Sequence, residues 1–308
     1  MSLKYEALKK AFRAIGFREK MNLSAEEIIA IKRKQNANMK IPDVKDPSFE
    51  IDLIHCDFFP VIRMIHKKKT DRADLFIIGG GMVTPPRPDS IKKALNFARE
   101  TGCDVYVPYY PLCTEYPVTR AYHMIHETYR KMCRDYKPEN ISVLGTSSGG
   151  NLALGMIPYM NENYPDEPKP DYILAISPGT CVETEEEEKR LKELDQKDFL
   201  IPASYMYKAR EILRHGDETV PEYMLALQTG DFSNSPKITL IYGDEETLYA
   251  FAPSFAEQFK KYNVSYDLIV GKGLFHCYPV FPLIKETKPA WKQMITLIRT
   301  HGSQGVNL

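Results

Sequence analysis

Ser147 is the residue of this sequence whose setting most suggests covalent chemistry. It lies in GTSSG, residues 145–149, a G-x-S-x-G pattern between the apolar run Ile141–Leu144 and a helix-like stretch. A strand that turns sharply into a helix strains the residue at the turn, and side chains two residues away would collide there, so glycines are needed. G-x-S-x-G arises often by chance, but this strand–turn–helix context predicts that Ser147 is an exposed nucleophile.

A nucleophilic serine needs a base to accept its proton, and the base needs a carboxylate to orient it. For this type of turn the expected chain order is serine, acid, histidine. Three histidines follow Ser147, namely His215, His276 and His301. His276 lies in a short loop after the apolar run Tyr266–Val270, where its side chain can reach the carboxyl edge of a sheet. We therefore predict that His276 is the base.

The acid is expected in the loop that follows the apolar run Ile238–Tyr242. This loop contains Asp244, Glu245 and Glu246. Each of them could instead be a solvated charge that the dipole of a following helix stabilises. Spacing alone does not choose among the three.

Three adjacent glycines, Gly79 to Gly81, follow the strand-like run Leu75–Ile78. Missing side chains leave backbone N–H groups free to face a developing negative charge, which predicts an oxyanion hole. A phosphate-binding loop is the competing interpretation. It is disfavoured because neither G-x-G-x-x-G nor G-K-[ST] is present, and the prolines at 85, 86 and 88 interrupt any immediate helix.

The elements that position these residues follow a regular pattern. Residues 48–55 and 59–66 alternate apolar and polar side chains, which predicts an antiparallel pair of strands. From residue 73 onward, apolar runs alternate with helix-like stretches, at Leu75–Ile78, Val105–Val107, Ile141–Leu144, Ile173–Ile176, Ile238–Tyr242 and Tyr266–Val270. This alternation predicts an α/β fold with a mainly parallel sheet covered by helices on both faces.

Two segments stand outside this alternation. Ser24 and Glu27 form a capping-box pattern within residues 1–37, where we predict two helices. About sixty residues separate the runs Ile173–Ile176 and Ile238–Tyr242, and they contain the charged run Glu183–Lys192. We interpret them as an inserted helical lid whose charged run is a solvated helix face.

The composition of the 308 residues excludes several classes of function. Lys plus Arg and Asp plus Glu both number 41, so a nucleic-acid or anionic-lipid partner is not indicated. The six cysteines show no C-x-x-C spacing, which favours free thiols in a reducing compartment and no metal site. Without a signal pattern or an apolar run long enough to cross a bilayer, the expectation is a cytoplasmic protein without a cofactor, and a homo-oligomer is compatible with it.

The motifs together resemble the hormone-sensitive-lipase-like family of α/β-hydrolase esterases. The family's H-G-G-G appears as Ile78 to Gly81, and its G-D-S-A-G-G-N-L as GTSSGGNL, residues 145–152. The stretch VPYYPLCTEYP, residues 107–117, is similar to V-D-Y-R-L-A-P-E-H-P-F-P. The resemblance covers roughly residues 70 to 300 and is specific, because four separate motifs occur in order.

The resemblance implies roles for individual residues. Aligning Gly243 and Leu248 with the family's acid motif places the acid at Glu246, with Asp244 in reserve. The oxyanion donors would be the N–H groups of Gly80, Gly81 and Ser148, while Gly79 serves the turn. This chain departs from the family at three positions, with Ile78 in place of His, Thr146 in place of Asp and Ser148 in place of Ala.

The family resemblance also implies a cap over an acyl pocket, formed by residues 1–45 and 181–230. The hydrolase core would then comprise 46–180 and 231–308, and Tyr205, Met206 or Tyr223 would line the pocket. The expected function is that of a serine carboxylesterase that hydrolyses small or short-acyl esters through an acyl-enzyme. An amidase or peptidase with the same triad and a non-catalytic ligand-binding protein are the alternatives. Cys277, beside His276, is interpreted as an inert packing residue rather than a reactive thiol.

Overall fold

An eight-stranded sheet forms the centre of the molecule, in a computed structural model that describes residues 2–16, 18–281 and 284–302. Residues 1 and 17 of the predicted segment 1–45, and residues 282, 283 and 303–308 of the predicted segment 231–308, lie outside this description. The strands are β1 Phe49–Cys56, β2 Phe59–His66, β3 Ala73–Ile77, β4 Asp104–Pro108, β5 Ile141–Thr146, β6 Tyr172–Ile176, β7 Lys237–Gly243 and β8 Tyr266–Gly271.

The strands are arranged in the order β1-β2-β4-β3-β5-β6-β7-β8. β1 pairs antiparallel with β2, and β2 antiparallel with β4, whereas all other neighbouring strands are parallel. The predicted α/β fold with a mainly parallel sheet is therefore confirmed. Because β3, β5, β6, β7 and β8 run in the same direction, the loops after them meet at the carboxyl edge of the sheet.

Helices cover both faces of the sheet. They are α1 Leu3–Ala14, α2 Ala25–Asn36, α3 Pro88–Thr101, α4 Val118–Met132, α5 Ser148–Asn163, α6 Glu185–Asp195, α7 Ala203–Arg214, α8 Glu222–Leu225, α9 Ala252–Lys261 and α10 Lys288–Thr300. Neighbouring residues of each strand point to opposite faces. In β3, Leu75 belongs to the core beneath α4 and α5, while Phe76 belongs to the core beneath α3 and α10. Burial on both faces explains why the strands are almost continuously apolar.

The first helix, α1, packs against the loops that follow β7 and β8. The buried ring of Tyr5 stacks on that of Phe275 with centroids 5.6 Å apart. Lys9 Nζ lies 2.7 Å from a carboxylate oxygen of Glu245. Helix α1 therefore contacts the residues that immediately precede Glu246 and His276.

The second N-terminal helix, α2, begins with the predicted capping box of Ser24 and Glu27. It packs against α7 of the insertion, and its Asn36 side chain donates a hydrogen bond to the Val83 carbonyl at 2.8 Å. The division into a core and a cap at 1–45 and 181–230 stays a prediction.

The charged run Glu183–Lys192 differs in one respect from the solvated face that its sequence predicts. Glu187 in α6 is fully buried. Its carboxylate accepts hydrogen bonds from the N–H of Thr184 at 3.2 Å and from the Gln228 side chain at 3.1 Å. It thus completes a capping box and connects α6 to the end of the insertion, whereas Glu188 pairs with Lys192 on the exposed face as expected.

All six cysteines lie within the described residues and are free thiols. In the part of the chain that the structure describes, no helix is both long enough and apolar enough to span a membrane.

Asp74 is an ionisable residue inside the sheet. It lies on β3 opposite Ser142 of β5 and is completely buried. Ser142 Oγ donates to one carboxylate oxygen at 2.7 Å, and the other oxygen has no hydrogen-bond partner among the described residues. Burial raises the pKa of Asp74 from 3.8 to about 7, although the Ser142 hydrogen bond and Arg72 partly offset the rise.

Asp74→Asn is expected to change how stability depends on pH. The folded chain holds the Asp74 proton more tightly than the unfolded chain, so the wild type loses stability as pH rises from about 4 through 7. Relative to the variant, the loss should reach up to about 4 kcal/mol. Urea unfolding of both proteins between pH 4 and 8 measures this difference, and parallel pH profiles would contradict the prediction.

Candidate active site

The turn after β5 forces Ser147 into an uncommon backbone conformation. Its φ is 53° and its ψ −128°, and its N–H donates to the Ile176 carbonyl at 2.8 Å. A Cβ atom at Gly145 would lie 2.2 Å from the Gly149 carbonyl oxygen, and one at Gly149 would lie 2.0 Å from the Ile77 oxygen. Both glycines of the G-x-S-x-G pattern are therefore required by close backbone contacts, as the sequence predicts.

The structure brings Ser147, His276 and Glu246 into one hydrogen-bonded chain. His276 Nε2 lies 2.9 Å from Ser147 Oγ, and His276 Nδ1 lies 2.6 Å from Glu246 Oε2. With Glu246 ionised, the imidazole proton resides on Nδ1, which leaves Nε2 as the acceptor for the serine hydroxyl. This geometry permits proton transfer from Ser147 to His276.

The other candidate acids and histidines do not join this hydrogen-bonded chain. Asp244 accepts the N–H of Gly273 at 2.5 Å, and Glu245 pairs with Lys9. His301 contacts Asp171, and His215 follows the last residue of α7. The loop after β7 thus directs Glu246, and neither Asp244 nor Glu245, toward His276.

The carboxylate of Glu246 is fully buried and has three hydrogen-bond partners. Besides His276, the hydroxyl of Ser177 donates to its Oε1 at 2.8 Å and the N–H of Gly243 donates at 2.9 Å. Burial raises the pKa of Glu246, and the hydrogen bonds from His276, Ser177 and Gly243 offset part of that rise.

Several groups act on the pKa of His276. Burial by itself lowers it, but the neighbouring Cys277 and the Glu246 carboxylate raise it, so that it lies well above the usual 6.5. Cys277 Sγ is 3.5 Å from His276 Nε2 and 3.9 Å from the Ile176 carbonyl oxygen. The cysteine therefore touches the imidazole as well as the backbone, a contact that its interpretation as a packing residue does not include.

The loop after β3 is held against the Ser147 turn by two hydroxyl groups. Ser148 Oγ accepts the N–H of Gly80 at 3.0 Å and that of Met82 at 3.2 Å. Thr146 Oγ1 accepts the N–H of Gly79 at 3.1 Å. Thr146 and Ser148 are the two positions beside the serine at which this chain departs from the family pattern.

Two of the three predicted oxyanion donors form no hydrogen bond with another described residue. The N–H groups of Gly81 and Ser148 have no hydrogen-bond partner among the described residues, and both residues line the cavity at Ser147. The N–H of Gly80 instead donates to Ser148 Oγ. Tyr205 Oη donates to the Gly81 carbonyl at 3.0 Å and supports the loop from the insertion. A role for Gly80 as a donor stays a prediction that requires release of this hydrogen bond.

Ser147 opens into a cavity of about 840 Å³. Its walls come from α2, the glycine loop and α7, and they are mostly apolar. Tyr205 and Met206 line it, as expected. Tyr223 does not, because it lies on α8, where its hydroxyl accepts a hydrogen bond from Asn163 at 3.3 Å.

Ser177 is a site residue that the sequence interpretation missed. It follows β6, is fully buried, and has a φ of 50°. Its hydroxyl donates to Glu246 and accepts the N–H of Cys277 at 2.9 Å, so it joins the loop of the acid to that of the histidine. The available signal was a short polar residue at the carboxyl end of a parallel strand, where functional side chains gather.

The fold and this arrangement define an α/β hydrolase. A family model described as the alpha/beta hydrolase fold matches residues 75–280, more than half of the chain, and the chain belongs to this family. The predicted α/β-hydrolase fold and membership of the α/β-hydrolase family are thereby confirmed.

A stretch of 135 residues is 33% identical to a triacylglycerol lipase of Mycobacterium tuberculosis. It covers 42% of this chain and 29% of the lipase, so the chain matches less than a third of that relative's length.

Solved structures of similar fold include several esterases. A mutant of the esterase E40 matches with a TM-score of 0.79 and 20% identity, over 98% of this chain and 99% of the other. A putative esterase from Staphylococcus aureus matches with 0.74 and 18%, over 92% and 93%. An esterase from the bacterial hormone-sensitive lipase family matches with 0.73 and 20%, over 90% and 97%. At these identities the likeness concerns the fold.

Replacing Ser177 should uncouple the loop that carries Glu246 from the loop that carries His276. Both Ser177→Ala and Ser177→Gly remove the hydroxyl, but glycine also tolerates the positive φ, which separates loss of the hydrogen bonds from backbone strain. We expect kcat to fall about 10- to 100-fold in both variants, with KM little changed, because Glu246 loses one charged hydrogen bond. Hydrolysis of an aryl ester and thermal unfolding measure the two effects. Full activity in the glycine variant would refute a positioning role for the hydroxyl.

Glu246→Gln should affect both the rate and its pH dependence. Since the pKa of His276 lies above 6.5, activity of the wild type should rise with pH over a range above 6.5, as the imidazole loses its proton. Without the carboxylate, this rise should move to lower pH and kcat should drop by about 10⁴-fold.

The pH–rate profile of aryl-ester hydrolysis measures both effects. Two neighbouring variants are matched controls for this profile. Glu245→Gln removes a carboxylate of the same loop that pairs with Lys9, and Asp244→Asn removes the reserve acid. Both should retain the position of the pH profile. A large loss in Asp244→Asn together with an active Glu246→Gln enzyme would transfer the acid role to Asp244.

Proposed function

We propose that this chain is a serine carboxylesterase with Ser147 as nucleophile, His276 as general base and Glu246 as the acid that orients it. The observation that carries the proposal is the hydrogen-bonded chain from Glu246 through His276 to Ser147 at an apolar cavity. The conformation of Ser147 and the free N–H groups of Gly81 and Ser148 agree with it. The esterase and lipase relatives support the same class of reaction.

The reaction would proceed in two acyl-transfer steps. His276 Nε2 takes the proton of Ser147 as Oγ attacks the ester carbonyl carbon, and the N–H groups of Gly81 and Ser148 stabilise the oxyanion. The imidazolium then protonates the leaving alcohol. In the second step His276 takes a proton from water, which attacks the acyl-enzyme, and Ser147 is regenerated as the acid is released.

The proposed substrates are small esters, including those with short acyl groups. A cavity of about 840 Å³ lies within the roughly 300–1,000 Å³ typical of small-molecule sites. Its apolar walls favour an uncharged acyl or alcohol chain beside the reacting ester. The six unpaired cysteines support the reducing cytoplasm as the location.

Ser147→Ala should abolish hydrolysis and covalent labelling together. Loss of the nucleophile in such a triad typically lowers kcat by about 10⁶-fold, which leaves no measurable turnover of an acetyl aryl ester. A fluorophosphonate probe should modify the wild type at Ser147, as located by peptide mass spectrometry, and should leave the variant unmodified. Retained hydrolysis in the variant would overturn the assignment.

A matched aryl amide distinguishes the related activities in the same assay. The ester should be cleaved much faster than the amide of the same acyl group, whereas faster amide cleavage would indicate an amidase or peptidase. Wild-type protein that neither reacts with the probe nor hydrolyses either compound would indicate a binding protein.

A further inference from the structure

Two positively charged side chains line the cavity that contains Ser147. Lys32 lies on α2, and Arg87 lies immediately before the first residue of α3. The two residues are 55 positions apart in the sequence and reach the cavity from different elements. Arg87 is exposed and Lys32 is partly buried, so this end of the cavity is its opening to solvent.

Neither cation has a negatively charged partner among the described residues. Neighbouring charges are paired, since Arg33 contacts Glu115 at 2.7 Å and Lys93 lies 4.0 Å from Asp89. Burial lowers the pKa of Lys32, and Arg87 lowers it further, with no carboxylate acting in the other direction. Glu19 also lines the cavity, but it does not act on the pKa of Lys32. The opening therefore holds two like charges that form no ion pair with any described residue.

Each of the two cations is followed along the chain by a polar side chain that also lines the cavity. Gln35 and Ser90 follow Lys32 and Arg87 by three residues, and both line the cavity. The remaining walls of α2 and α7 are apolar, with Ile28 and Met206 as examples. A ligand that fills the cavity would thus have an apolar portion along these walls and a polar end at the opening.

We propose that Lys32 and Arg87 bind an anionic group, a carboxylate, of the ester substrate at the end remote from the scissile bond. The inference rests on the proposed function and names the substrate class of that site. A carboxylate matches the planar guanidinium, which can donate two parallel hydrogen bonds, and the flexible lysine adds a third donor. It also supplies the missing counter-charge, at an opening where water and salt still have access.

The test compares charged esters with neutral esters of the same shape. Mono-p-nitrophenyl adipate carries its charge on the acyl side, whereas 4-butanoyloxybenzoate carries it on the alcohol side. The methyl ester of each carboxylate is the matched neutral compound. We expect the wild type to prefer the anionic member of one pair, and added NaCl to reduce that preference.

Lys32→Met and Arg87→Met should each lower kcat/KM for the preferred anionic ester about tenfold more than for its neutral counterpart, mainly through KM. Lys34→Met is the matched control, since Lys34 lies on the same helix, is exposed and does not line the cavity. It should leave the preference unchanged. Equal hydrolysis of charged and neutral esters by the wild type, or a preference that both Met variants retain, would overturn the inference.

A binding measurement separates this inference from the proposed function. Calorimetry with Ser147→Ala protein and monomethyl adipate should give a dissociation constant that increases about tenfold when Lys32→Met is added. Such binding without any hydrolysis by the wild type would refute the esterase and retain the anion site. Hydrolysis of neutral esters with no binding of the anion would retain the esterase and refute the site.

Discussion

The turn at Ser147 and the loop after β3 approach each other so closely that backbone atoms occupy the space where side chains would otherwise lie. A Cβ atom at Gly79 would be 2.2 Å from the Thr146 carbonyl oxygen and 2.7 Å from Ser147 Cβ. This contact is possible because β3 and β5 are parallel neighbours in register, which brings their carboxyl ends together. The position of the nucleophile, the glycines around it and the Gly81 N–H, which donates to no described residue, all depend on this approach.

The residues that distinguish this chain from its family pattern act within the same contact. Thr146 and Ser148 place hydroxyl oxygens beside the loop, and these accept the N–H groups of Gly79, Gly80 and Met82. An alanine at 148 would leave the last two without this acceptor. The loop is therefore fixed by side chains of the nucleophile turn, and one predicted oxyanion donor is used for that purpose.

Local sequence patterns predicted the strands, the serine, the histidine and the loop that holds the acid, because strand alternation, glycine turns and the order of serine, acid and histidine are local or topological properties. Other features arise from contacts between distant residues. Ser177 meets Glu246 across 69 positions, and the Gly80 N–H meets Ser148 across 68. The burial of Glu187 and the position of Tyr223 outside the cavity likewise depend on how the insertion packs, which periodicity does not reveal.

The packing of α1 has a consequence for how substrate can enter. Its Tyr5 stacks on the residue before His276, and its Lys9 pairs with the residue before Glu246. A movement of α1 away from the core would therefore displace His276 and Glu246 at the same time. Access to Ser147 without displacement of His276 and Glu246 thus favours an entrance between α2 and the residues before α3, with α1 fixed in its position.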